Sequence, residues 1–85
     1  GQQAEVWARR LLSESSLTLD QRIERTYEQA FSRPPTAAEK KSAQEFLVAQ
    51  GAELGLSPSS ASGDLRCWTD LCHVIFNVKE FVYCP

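Results

Sequence analysis

The run Arg33-Pro-Pro-Thr-Ala-Ala-Glu39 constrains this chain most, because it ends one helix and starts the next within seven residues. Pro34 drives Arg33 out of the helical region, and Pro35 does the same to Pro34. Thr36 is then placed to cap a new helix, with Glu39 at the third helical position closing a capping box. Two pyrrolidine rings stiffen the corner, so the angle between the flanking helices is expected to be fixed.

Helical periodicity continues on both sides of that corner. A first helix is expected from Gln3 to Ser13, with Ala4, Trp7, Ala8, Leu11 and Leu12 on one apolar stripe and a polar break at residues 13–16. A second runs from Leu19 to Phe31. Thr18 and Gln21 are spaced as a second capping box, and Leu19, Ile23, Tyr27, Ala30 and Phe31 form its buried face. Arg22, Glu24, Arg25 and Glu28 read as its solvated side.

The third helix is expected from Ala37 to Leu54, with Ala43, Phe46, Leu47, Gln50 and Leu54 facing inward and Gly55 just past its end. The serine-rich stretch from Leu56 to Gly63 reads as a mobile connector. A fourth helix from Asp64 to Phe76 places Leu65, Trp68, Leu71, Cys72, Ile75 and Phe76 on one wide arc, flanked by Cys67 and Val74. Such an arc implies a central helix with more than one partner. Asn77 is suited to a left-handed cap, after which Phe81, Val82 and Tyr83 alternate as an extended tail. The expected fold is therefore all-α: a compact four-helix bundle with a short C-terminal extended tail, one domain over residues 1–85.

Composition narrows the function classes. The net charge is -2 with both signs interspersed, which excludes a basic nucleic-acid footprint and a polybasic membrane patch. No apolar run approaches the roughly 20 residues of a membrane span. The first residues have neither the charged start nor the apolar segment of a signal peptide. With no methionine anywhere, the chain reads as an excised or processed piece of a larger protein.

The polar side of the fourth helix gathers Arg66, Asp70, His73 and Asn77, the residues most suited to contact a ligand. His73 and Asp70 could form an acid–base pair, since residues three apart meet on a helix. General acid–base work also needs a pocket and a nucleophile or substrate anchor. No Gly-x-Ser-x-Gly elbow, Gly-rich phosphate loop or acidic metal cluster accompanies the pair, and a surface hydrogen bond accounts for it. Trp7 and Trp68 lie on apolar stripes and read as core. The chain has three cysteines. Cys67 and Cys72, on one helix, point about 140° apart and cannot bridge each other, whereas Cys84 could fold back to either. Cys67, Cys72 and His73 are the elements of a c-type haem attachment with four residues between the thiols instead of the common two. That chemistry, like a zinc site that adds Cys84, requires the ligands to leave diverging sides of a helix. No catalytic, cofactor-binding or metal-binding residue is assigned from the pattern.

Several of these runs together resemble a known family. Gln21-Arg-Ile-Glu-Arg-Thr-Tyr27, Arg33-Pro-Pro-Thr-Ala-Ala-Glu39, Phe46-Leu47, Asp70-Leu-Cys-His73, Phe76-Asn77 and Glu80-Phe-Val-Tyr83 resemble the C-terminal end of a planctomycete-specific domain family of unknown function. The opening Gln3-Ala-Glu5 and Ala8-Arg-Arg-Leu-Leu12 fit the segment that precedes it. Proteins of that family often also carry a planctomycete-type cytochrome c domain. The resemblance implies an exported parent protein of the cell envelope or outside the cell, with any haem in a different domain. It implies no catalytic residues.

The chain departs from the family pattern in places. Ser32 stands where glycine is usual, so helix two is expected to end without the left-handed residue a glycine supplies. Val78 replaces a small polar residue, Cys84 replaces an aliphatic one, and Cys67 lies outside the pattern. The expected role is a structural or interaction module without catalysis of its own. Its partners would be upstream domains of the same parent chain or another protein, without nucleic acid or membrane insertion. The alternatives are one wall of an active site completed by the upstream region, using Arg66, Asp70, His73 and Asn77, or a redox or haem module using Cys67, Cys72 and His73.

Overall fold

The computed structural model describes the backbone of residues 2–83 and the side chains of residues 2–79. Every regular element among the described residues is a helix: α1 Gln2–Ser13, α2 Leu19–Phe31, α3 Ala37–Glu53, α4 Pro58–Ala61 and α5 Leu65–Tyr83. α5 is the central element and packs against α1, α2 and α3, while the short α4 covers α3. The radius of gyration is 12.2 Å, close to the roughly 12 Å of a compact domain this long.

Both capping boxes form. The Thr18 hydroxyl accepts from the Gln21 N–H, and the Gln21 side chain accepts from the Thr18 N–H. Thr36 and Glu39 repeat the pattern at 3.1 and 2.9 Å. The end of α3 is also locally determined. Gly55 takes φ 74°, and the N–H groups of Leu56 and Gly55 return to the carbonyls of Gly51 and Ala52. This is a Schellman closure, and it accounts for the glycine at that position.

The end of α2 differs from expectation. Ser32 itself adopts the left-handed conformation, φ 57° and ψ 30°, and its N–H bonds the Glu28 carbonyl. The chain must reverse here between Phe31, packed against the core, and the proline corner that follows. Because a Cβ is strained there, Ser32→Gly is expected to raise stability by about 0.5–1 kcal/mol, measured by urea unfolding.

Five further expectations are corrected. The segment from Leu56 to Gly63 is not a plain connector. Ser57 caps α4, its hydroxyl accepting from the Ser60 N–H, and Pro58 occupies the first helical position. α4 exists to bury Ala61 against Gly51. Gly51 is the inward-facing residue at the end of α3, whereas Leu54 is exposed. A Cβ on Gly51 would stand 2.3 Å from the Ala61 Cβ, so α4 would have to lift. Gly51→Ala is expected to cost about 1–2 kcal/mol, the clash outweighing the gain in helix propensity. A lowered thermal midpoint would register it.

α5 does not stop at Asn77. It continues to Tyr83, so the left-handed cap and the extended tail are both replaced by helix. A single asparagine costs a helix only about 0.7 kcal/mol, and no Gly or Pro follows it before Tyr83 to break the run. Val74 does not extend the buried arc: it is 43% exposed. The supposedly solvated face of α2 is partly internal. Arg22 is 8% exposed and donates to the Leu11 carbonyl at 2.8 Å and to the Glu14 carbonyl at 2.7 Å. Its guanidinium thus satisfies the Leu11 carbonyl in the last turn of α1 and joins the Leu17 N–H on the Glu14 carbonyl just beyond it. On the same face, Glu24 pairs with Lys40 of α3, and Arg25 pairs with Glu14.

Candidate functional site

The four polar residues singled out on α5 do not assemble into a cleft. Arg66 pairs with Asp64 at 3.3 Å. Asp70 accepts from the Gln50 amide of α3, also at 3.3 Å. Asn77 is exposed and His73 is partly buried. None of these four residues lines any of the concavities described below.

The two described thiols are interior. Cys67 and Cys72 are both free and fully buried. Burial, without a compensating cation, pushes the Cys72 thiol up to about 12. Cys67 is raised too, by burial first and then by its hydrogen bond to the Asp64 carboxylate. Both are therefore thiols at neutral pH, not the thiolates that attack or ligate. They sit on one uninterrupted helix, so joint attachment to a haem would require both to leave the core. This donor set does not fit the group. Among the described residues no three His, Cys, Asp or Glu side chains converge on a common point. Cys84, the other thiol weighed for zinc or a disulfide, lies outside the described residues.

The described surface carries several concavities, three of which bear on function. A broad one of about 580 Å³ lies between the start of α1 and the last turns of α5, where Trp7 packs on Phe76 with ring centroids 4.9 Å apart. Its indole N–H donates to Gln29 at 2.6 Å, and Arg10 and Lys79 border it. A shallow hollow of about 290 Å³ lies on the outer face of α3 around Val48.

The third, of about 410 Å³, is a groove where α2, α3 and α5 meet. Tyr27, Phe31 and Phe46 wall it, and Val74 and Val78 rise along one side. Each aromatic is only partly buried. The Tyr27 and Phe31 rings lie 5.6 Å apart, and the Arg33 guanidinium covers the Phe31 ring at 5.3 Å.

One end of the groove is closed by the proline corner. Arg33 grips Glu39 with two nitrogens, at 2.7 and 2.9 Å, and also donates to the Pro34 carbonyl at 3.0 Å. The Arg33 hydrogen bonds, opposed by partial burial and assisted by the Thr36 N–H, bring the Glu39 carboxyl down to about 2. A carboxylate depressed in the folded state contributes stability above its unfolded value, near 4.3, and loses it as pH falls through the folded value. Stability is therefore expected to drop as pH falls from about 4.5 toward 2, in part through Glu39. Glu39→Gln keeps the cap and removes the charge, so its stability should lose part of that slope. Chemical unfolding at several pH values in this window measures it.

Reading Tyr27, Phe31 and Phe46 as plain core missed this groove. The available signal was Val74 and Val78 outside the arc's centre on an otherwise polar side of α5. Among the described residues no helix is long and apolar enough to cross a membrane. Comparison with protein-family models, with curated proteins and with solved structures finds no match for this chain.

Proposed function

We propose that this chain is a helical structural or interaction module that ends a larger exported protein of the planctomycete type and performs no chemistry by itself. We read α1, α2, α3 and α5 as a four-helix bundle, with its partners among upstream domains of the same parent chain or other proteins. The observation that carries the reading is the use made of the most distinctive residues. Arg33, Thr36 and Glu39 lock one another at the corner between α2 and α3. Trp68 is wholly interior. Residues of this kind preserve a shape that something else must recognise.

A second reading makes Arg66, Asp70, His73 and Asn77 one wall of an active site completed upstream. What favours it is that Arg66, Asp70 and Asn77 are exposed on α5, away from its buried stripe. Substitution in the full-length parent separates the two. If the module is structural, Asp70→Asn and His73→Gln leave the parent's phenotype and stability unchanged. Loss of phenotype with unaltered folding would instead establish the active-site wall, and turnover by the isolated chain would refute the structural role.

A further inference from the structure

We propose that the groove between α2, α3 and α5 binds a small uncharged apolar molecule carrying one hydrogen-bonding end. The reading is independent of the family and of the parent's role. Its first support is size. About 410 Å³ falls within the roughly 300–1,000 Å³ of small-molecule sites. A three-turn helix about 10–12 Å across displaces far more than this, so the space suits a compact molecule better than a partner's backbone.

The second support is the lining. Three half-open aromatics and two valines, Val74 and Val78, 43% and 48% exposed, share the groove. Exposed single apolar residues need no explanation, but an apolar concavity walled by aromatics does.

The third is charge. The groove's two charged residues are Arg33 and Glu39, and they neutralise each other in a two-pronged pair. An ionic ligand would have to break that pair; a neutral one would not. The remaining polar groups on the lining are the hydroxyls of Tyr27 and Ser42, neither of which makes a hydrogen bond with another described residue. Burial, with the nearby Glu39 charge, raises the Tyr27 pKa, which keeps its hydroxyl intact as donor and acceptor. These hydroxyls would meet the ligand's polar end.

The test uses the whole chain and the neutral fluorescent probe N-phenylnaphthylamine. Saturable one-to-one binding is expected, with weaker binding of its anionic counterpart, anilinonaphthalene sulfonate. Val74→Glu puts a charge on the groove wall at an exposed position and should weaken the neutral probe by about tenfold or more. Val48→Glu, on the outer hollow of α3, should leave it within about twofold. Far-UV circular dichroism checks that both variants remain helical. Tyr27→Phe should lower the affinity of a naphthol more than that of naphthalene. The proposal is overturned if the neutral probe does not saturate, if both glutamate variants act alike, or if the sulfonate binds as tightly. It is also overturned if Val74→Glu changes only the chain's self-association in size-exclusion chromatography, which would make the groove a contact between copies.

Discussion

Trp68→Ala is expected to remove about 3–5 kcal/mol of folding stability. The indole is fully buried in the first turn of α5, and its N–H donates to the Ser62 carbonyl at 2.8 Å. Truncation therefore opens the largest cavity one residue can leave here and strands a carbonyl in the turn before α5. A domain of this size has a total stability on the order of 5–10 kcal/mol, so the loss should lower the thermal midpoint by roughly 15–30 °C. Trp68→Phe separates the two contributions. It keeps most of the ring and loses the hydrogen bond, and should cost markedly less than alanine. Equal losses from the two variants would mean that the hydrogen bond, not packing, anchors the start of α5.

Arg22→Met is expected to cost about 2–4 kcal/mol. Methionine reproduces the stem of arginine as far as the position of Nε, so what is lost is that donor and the rest of the guanidinium. Without it the Leu11 carbonyl, held at 2.8 Å, loses its side-chain donor at a buried helix end, and the Glu14 carbonyl, held at 2.7 Å, keeps only the Leu17 N–H. The neighbouring Arg25→Met is the control. Arg25 pairs with Glu14 at the surface, and pairs of that kind contribute about 0–1 kcal/mol. Urea unfolding of both variants checks the contrast; similar small losses would show that water replaces the guanidinium at those carbonyls.

The two arginines also show why part of the fold was hidden in the sequence. Arg22 and Arg25 look alike on a helical wheel, charged residues opposite an apolar stripe. What distinguishes them is the path of the chain between α1 and α2, which folds the carbonyls of Leu11 and Glu14 over one and leaves the other at the rim. Asn77 is a similar case. Its tendency to cap competes with the helix-forming residues after it and with the packing of α5 along α1, and the cap loses. Ser32 shows the reverse, an unfavourable conformation imposed on a residue by the turn it occupies.

The candidate site divides the same way. The polar face of α5 was legible, because spacing by three and four places Asp70, His73 and Asn77 on one side. The groove was not. Tyr27, Phe31, Phe46 and Val74 come from three helices, and whether they close over one another or leave a gap depends on how far apart those helices sit.

By itself the sequence determined the helices with local instructions: two Thr-x-x-Gln/Glu boxes, the proline corner and the glycine that ends α3. Each acts within a few residues, through hydrogen bonds and backbone dihedrals that need no distant partner. Only the tertiary structure decided that Arg22 is internal, that Gly51 must lack a side chain, and that three aromatics stay half open. Those outcomes depend on which atoms from remote parts of the chain arrive at the same place, and no local energy specifies that.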